Sequence, residues 1–127
     1  SLVMHGITMI DYTRLVNLLN EASYFSWSNF SVPRDDKFGR MTRSQLEEEI
    51  RQQIRPVNCF VALAGVYMSN SDWIQFELDF ANSIGKPIIG VKPWGNSNVS
   101  TAVSKVAKEI VGWNTDSIVV AIRKYSI

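Results

Sequence analysis

The sequence has few of the residues that metal and disulfide chemistry need. It contains one cysteine and one histidine in 127 residues. One cysteine cannot form an internal disulfide, which fits a reducing, cytoplasmic location, and a lone cysteine with a lone histidine argues against a zinc site. Cys59 lies inside an apolar run, where a buried and unreactive thiol is expected. We therefore predict a cytoplasmic protein without a bound metal.

The chain also lacks an excess of either charge and any long apolar run. Thirteen basic and twelve acidic residues give a formal net charge of +1. This balance provides no field that would attract nucleic acid or an anionic membrane surface. No stretch approaches the ~20 apolar residues of a membrane-spanning helix. We expect neither partner, and the 46% hydrophobic content predicts one compact domain over residues 1–127.

Several common catalytic motifs are absent as well. No Gly-x-Gly-x-x-Gly follows the first predicted strand, and no Gly-Lys-Ser/Thr phosphate loop is present. A phosphate-receiver domain would need an aspartate where this chain has Ala64 and Gly65. A serine hydrolase would have only His5 as its base, and no nucleophile-elbow pattern accompanies it.

Short apolar runs alternate with helical patterns along the chain. The predicted strands are Leu2–His5, 24–30, 58–64, Ile88–Val91 and 110–113. The first predicted helix covers 12–22 and is capped by Asp11, and the second begins with a Thr42 and Gln45 capping box and ends near 55–56. The third covers 70–84. The fourth runs from its cap Asn98 to about 109, and a C-terminal helix is capped by Asp116. Gly85 should stop the third helix, and 31–41 should be a long loop. The acidic run 47–49, with Arg51 and Arg55, predicts a solvated helix face.

Continuous apolar strands separated by helices favour a parallel sheet that is covered on both faces. We predict a flavodoxin-like three-layer sandwich with five parallel strands in the order 2-1-3-4-5. In such a sheet, ligands bind beyond the carboxyl ends of strands 1 and 3, where the strand order reverses. Those ends place His5, Gly6 and Tyr67 at the predicted crevice.

Glu77 stands out because it falls in the middle of the apolar side of the predicted helix 70–84, among Trp73, Phe80, Ala81 and Ile84. A carboxylate among core side chains is costly unless it is paired or reaches a cavity. Helical side chains tilt toward the helix N-terminus, so Trp73 and Glu77 should point toward the crevice. Glu77 is therefore either a catalytic or ligand-binding group or a buried carboxylate tied to a backbone amide or a lysine.

The segment Ser71-Asp-Trp-Ile-Gln-Phe-Glu77 resembles the Ser-x-Trp-x-x-x-Glu signature of TIR domains. Segments 86–95 and 110–117 are similar to the prokaryotic TIR-like family that resembles the sensor enzymes of the Thoeris anti-phage system. The resemblance covers nearly the whole chain. One departure lies at the first strand, where the family usually has a Ser-His pair followed by an aromatic residue, and this chain has Met4-His5-Gly6-Ile7.

The resemblance implies cleavage of the bond between nicotinamide and ribose in NAD by a glycohydrolase or cyclase with Glu77 as the catalytic residue. NAD would be a substrate rather than a permanently bound cofactor. One carboxylate suits this chemistry, because nicotinamide is a good leaving group and the developing oxocarbenium ion needs a nearby negative charge. In the Thoeris-like interpretation, the product is a nucleotide signal that activates a separate effector.

Further substrate-binding candidates surround the predicted crevice. They are His5, Gly6, Asn29, Arg34, Tyr67, Ser71 and Trp73. Arg34 lies in the loop that corresponds to the ligand-closing or assembly loop of TIR domains, and its guanidinium could meet pyrophosphate oxygens. Ser71 could equally act only as a helix cap, and His5 as a core histidine. Two other functions stay open: a non-catalytic TIR-like module that acts by self-association, and an enzyme resembling nucleoside deoxyribosyltransferases.

Overall fold

The computed structural model describes residues 2–5, 9–22, 42–63, 71–92 and 101–127. Strands and helices alternate within these ranges. In chain order they are β1 (Leu2–His5), α1 (Met9–Asn20), α2 (Arg43–Ile54), β2 (Cys59–Leu63), α3 (Ser71–Ser83), β3 (Ile88–Val91), α4 (Thr101–Val106), β4 (Glu109–Val111) and α5 (Thr115–Tyr125).

The four described strands form one parallel sheet in the order β1-β2-β3-β4. They correspond to predicted strands 1, 3, 4 and 5, and their order agrees with the prediction. The predicted second strand, 24–30, and the loop 31–41 lie outside the described residues, so the fifth strand stays a prediction. The register pairs Leu2 with Cys59 and His5 with Ala62, which brings the carboxyl ends of β1 and β2 to the same edge.

Both faces of the sheet carry helices. Because successive strand residues point to opposite faces, Cys59, Val61 and Ile89 join a core with α1 and α5 on one face. Phe60, Ala62 and Ile88 join a second core with α2, α3 and α4 on the other face. The described residues therefore show the predicted arrangement of three layers, helix, sheet and helix.

Two of the predicted helix signals are confirmed. The Thr42 hydroxyl accepts from the Gln45 backbone N–H at 3.2 Å, and the Gln45 side chain accepts from the Thr42 N–H at 3.0 Å, which completes the capping box. Gly85 follows the end of α3 with φ at +76°, a left-handed conformation that is strained for other residues.

Three predicted element boundaries are wrong. Helix α1 begins at Met9, so Asp11 lies inside it and does not cap it. Helix α4 ends at Val106 instead of continuing to about 109, because the Lys108 N–H bonds the Ile88 carbonyl at 2.7 Å and the chain joins the sheet as β4. Strand β4 accordingly runs over Glu109–Val111 rather than 110–113. The predicted cap Asn98 lies outside the described residues.

The predicted cap of α5 is also wrong. Asn114, and not Asp116, caps this helix, because its backbone is extended and its Oδ1 accepts from the Ser117 N–H at 2.8 Å. Asp116 lies within the first turn. Both residue types are favoured caps, so the backbone conformation, which the sequence does not reveal, decides between them.

Cys59 is fully buried, as predicted. Burial raises the pKa of its thiol to about 12, so the thiol stays neutral and unreactive near neutral pH. Among the helices of the described ranges, none is long and apolar enough to cross a membrane, and the longest, α3, has 13 residues.

Candidate active site

Helix α3 begins on the side of the sheet where parallel folds bind ligands. Strand β2 ends at Leu63 and α3 begins at Ser71, so the helix starts from the carboxyl end of the strand. It then packs on the face covered by α2 and α4, with Leu78 and Ala81 in the core. In open parallel sheets, this edge holds the binding crevice.

Glu77 lies on the buried side of α3. The residue is 1% exposed, and its neighbours Leu78 and Ala81 are fully buried. The opposite side of the helix is solvated, and there the Gln75 side-chain amide donates to the Asp79 carboxylate at 2.8 Å. The predicted placement of Glu77 on the buried side of this helix is confirmed, but Ile84, which was predicted on the same side, lies beyond the end of α3 and is 40% exposed.

Burial sets what the Glu77 carboxylate can do chemically. A negative charge surrounded by low-dielectric side chains acts more strongly on a nearby positive charge than it would in water. Such a fixed charge stabilises a cation that develops during a reaction without first having to reorganise solvent. An ionised carboxylate at this position would therefore suit a reaction whose transition state gains positive charge.

The other predicted site residues are only partly located. His5 ends β1 at the same sheet edge, paired in register with Ala62 of β2. Ser71 and Trp73 lie in the first turn of α3, six and four residues before Glu77 in the sequence. The backbone thus brings β1 and the start of α3 to one edge. Gly6, Asn29, Arg34 and Tyr67 lie outside the described residues, and their roles stay predictions.

A row of arginines and phenylalanines joins α2 to α3, and the sequence did not predict it. The Arg51 guanidinium carbon lies 5.3 Å from the Phe76 ring centroid and 6.0 Å from the Phe80 ring centroid. The Arg55 guanidinium carbon lies 5.6 Å from the Phe80 ring centroid. We call these four residues the Arg-Phe seam. Their spacing of four on each helix was visible in the sequence, but nothing there indicated that the two helices lie side by side.

Glu48 ties the two arginines of the Arg-Phe seam together. Its carboxylate lies 3.4 Å from Arg51 and 3.2 Å from Arg55. The hydrogen bond from Arg55, followed by that from Arg51, lowers the pKa of the Glu48 carboxyl. The charged face predicted for α2 is therefore an ion-paired network that also packs on aromatic rings.

A second polar residue that the sequence did not single out is buried on α2. Gln53 is 7% exposed, and in the described part of the chain neither its amide nitrogen nor its amide oxygen has a hydrogen-bond partner. It follows the buried Ile50 at helical spacing. That spacing was the available signal, because it places Gln53 beside the apolar stripe.

A separate cleft lies on the opposite face of the sheet. It has a volume of about 400 Å³, lies between α5 and the residues that follow α1, and is lined in part by Glu21, Thr115, Asp116 and Arg123. Helix α3, which carries Glu77, packs into the other core, so this cleft is not part of the Glu77 site. In the ranges that the structure covers, no group of three or more His, Cys, Asp or Glu side chains could hold a metal ion.

Comparisons with known proteins agree with this arrangement. A family model described as "Thoeris protein ThsB, TIR-like domain" matches residues 5–98. A similar solved structure is that of a CMP N-glycosidase, BcmB, from Clostridium botulinum, with a TM-score of 0.57 and 18% identity over 98% of this chain and 100% of that one. At this identity, the likeness concerns the fold. The chain has no significant match among the curated proteins.

Proposed function

Because the chain belongs to the Thoeris ThsB TIR-like domain family, we propose that it is an enzyme that cleaves the N-glycosidic bond of NAD. The observation that carries the proposal is the Glu77 carboxylate, 1% exposed on the buried side of the helix that starts at the carboxyl edge of the sheet. The likeness in fold to a nucleotide N-glycosidase supports the same class of reaction.

The proposed reaction breaks the bond between the ribose C1′ carbon and the nicotinamide nitrogen. The bonding electron pair returns to the pyridinium ring, so nicotinamide leaves as a neutral molecule and needs no general acid. Positive charge develops on C1′ and the ring oxygen, and the Glu77 carboxylate stabilises it. Water then adds to C1′ and releases a proton, which gives ADP-ribose. In the cyclising variant, a nitrogen of the adenine ring adds in place of water.

The remaining site residues have proposed roles in holding the substrate. Trp73 would form a wall of the pocket, while Ser71 and Asn29 would bond to ribose hydroxyls. Arg34 would meet the pyrophosphate, and His5, Gly6 and Tyr67 would line the sheet edge. The nucleotide product would act in the cytoplasm as a signal for a separate effector in anti-phage defence, and self-association could complete the pocket.

The decisive experiment follows nicotinamide release from NAD by chromatography over a range of protein concentrations. Wild type should release nicotinamide, and Glu77→Gln should release none above background, because it keeps the shape of the side chain and removes its charge. The matched control is Asp79→Asn on the solvated side of α3, which should keep wild-type activity. Full activity of Glu77→Gln would refute the assignment of the site.

A second candidate substrate is a pyrimidine nucleoside monophosphate. The observation that favours it is the likeness in fold to an enzyme described as a CMP N-glycosidase. Incubation with CMP, with free cytosine as the readout, separates the two candidates. Transfer of the sugar to an added free base would instead favour the interpretation that resembles deoxyribosyltransferases. A protein that cleaves none of these nucleotides at any concentration would fit the non-catalytic interaction module.

A further inference from the structure

The Arg-Phe seam connects the helix that carries Glu77 to the neighbouring helix on the same face of the sheet. Arg51 and Arg55 are one turn apart on α2, and Phe76 and Phe80 are one turn apart on α3. The Arg51 guanidinium carbon lies over both rings, at 5.3 Å and 6.0 Å from their centroids, whereas that of Arg55 lies over Phe80 at 5.6 Å. The seam therefore centres on Arg51.

Arg51 is held from two directions. Its guanidinium donates to the Glu48 carboxylate, which belongs to its own helix, at 3.4 Å. Its guanidinium carbon lies over the aromatic rings of α3, and a guanidinium makes such a contact better than an ammonium group because it is flat and less strongly hydrated. The Glu48 contact restricts the side chain on α2, so the ring contact links the position of α3 to that of α2.

Phe76 precedes Glu77 directly, and this adjacency connects the seam to the carboxylate. Successive residues of a helix point about 100° apart. The Phe76 ring contacts Arg51 of α2, while Glu77 is buried on the neighbouring side of α3. Holding the Phe76 ring therefore fixes the rotation of α3 about its axis, and that rotation sets where the Glu77 carboxylate lies.

We propose that Arg51 is a positioning residue for Glu77, acting through the ring of Phe76. The inference rests on the proposed function, because it concerns the carboxylate that would stabilise the oxocarbenium ion. Arg51 does not touch the substrate, so its loss leaves binding intact and lowers the rate of bond cleavage. Arg55 lacks this role, because its contact is to Phe80, one turn beyond Glu77 toward the end of the helix.

The test compares Arg51→Leu with Arg55→Leu, two variants that each lose one guanidinium and one contact with Glu48. Arg51→Leu should lower kcat on the cleaved nucleotide by about 10-fold and leave KM within about twofold, because a misplaced catalytic group costs rate rather than affinity. Arg55→Leu should keep kcat within about twofold. Phe76→Leu should behave like Arg51→Leu, and the double variant Arg51→Leu/Phe76→Leu should be no slower than either single one.

A structural readout accompanies the kinetics. Thermal midpoints of Arg51→Leu and Arg55→Leu should agree, while hydrogen exchange of the α3 backbone amides should be faster in Arg51→Leu alone. The inference is overturned if Arg51→Leu keeps its kcat, if both variants lose kcat in proportion to lost stability, or if the double variant shows additive losses. These outcomes need an active wild type that Glu77→Gln inactivates. A wild type that cleaves no nucleotide overturns the proposed function instead, and the inference with it.

Discussion

Gln53 on α2 and Glu77 on α3 are both buried on the same face of the sheet, at 7% and 1% exposure. In the described part of the chain, these two are the polar or charged residues that the core contains. Burying such groups costs stability unless their polar atoms are bonded. Glu77 carries the proposed chemistry, whereas Gln53 has no role in it.

Replacing Gln53 by leucine should therefore stabilise the protein. Within the described residues, neither polar atom of its amide has a hydrogen-bond partner, and removing an unsatisfied buried amide gains about 1–2 kcal/mol. Urea unfolding should show this gain as a higher midpoint with an unchanged slope, and nucleotide cleavage should be unaffected. Gln52→Leu, on the exposed neighbour, is the control and should change stability by less than about 0.5 kcal/mol. A destabilised Gln53→Leu would contradict the prediction.

Shortening the Glu77 side chain should separate the need for charge from the need for position. Glu77→Asp keeps the negative charge but withdraws it by one methylene, roughly 1 Å or more, and a displacement of this size can cost on the order of 100-fold in rate. We expect Glu77→Asp to retain cleavage that is slow but measurable, and Glu77→Gln to have none. Initial rates of base release over a range of substrate concentrations give the comparison. Equal and measurable activity of the two variants would show that charge at this position is unimportant.

Local patterns predicted much of this fold because their causes are local. The apolar run Ile88–Val91 predicted a strand with the same bounds that the structure shows. The capping box at Thr42 and the helix stop at Gly85 depend on residues within one turn of each other. The burial of Glu77 followed from helical periodicity alone. In each case, the determining contacts lie within a few positions along the chain.

The features that the sequence did not reveal depend on contacts between distant segments. The Arg-Phe seam joins residues that are far apart in the chain, such as Arg51 and Phe76, which are separated by 25 positions. In the sequence, the charge pattern of α2 indicated only a solvent-exposed helix face. The early end of α4 follows from pairing between Lys108 and Ile88.

The correction of the α5 cap leads to a direct test. Asn114→Ala should destabilise the protein by about 1 kcal/mol, because it removes the 2.8 Å bond from the Ser117 N–H to the cap side chain. Asp116→Ala should cost less, about 0.3–1 kcal/mol, because a first-turn carboxylate interacts only with the helix dipole. Added salt should weaken the effect of Asp116→Ala but not that of Asn114→Ala. Thermal unfolding at low and high salt measures both, and the reverse ranking would restore Asp116 as the cap.

Cys59 should make the protein less stable at alkaline pH. Burial raises the pKa of its thiol from 9.0 to about 12, so the folded protein retains a proton that the unfolded chain loses. The stability that the neutral thiol provides is complete below about pH 9 and is lost as the pH rises from about 9 toward 12, by an amount on the order of a few kcal/mol. The free energy of unfolding is measured with urea under reducing conditions at about pH 7 and about pH 10.5. It should fall more between these pH values in wild type than in Cys59→Ala. Lysines and tyrosines titrate in both proteins, so the difference between the two proteins in this pH dependence gives the contribution of the Cys59 thiol. An equal pH dependence of stability in the two proteins would show that Cys59 ionises in the folded state as readily as in the unfolded chain.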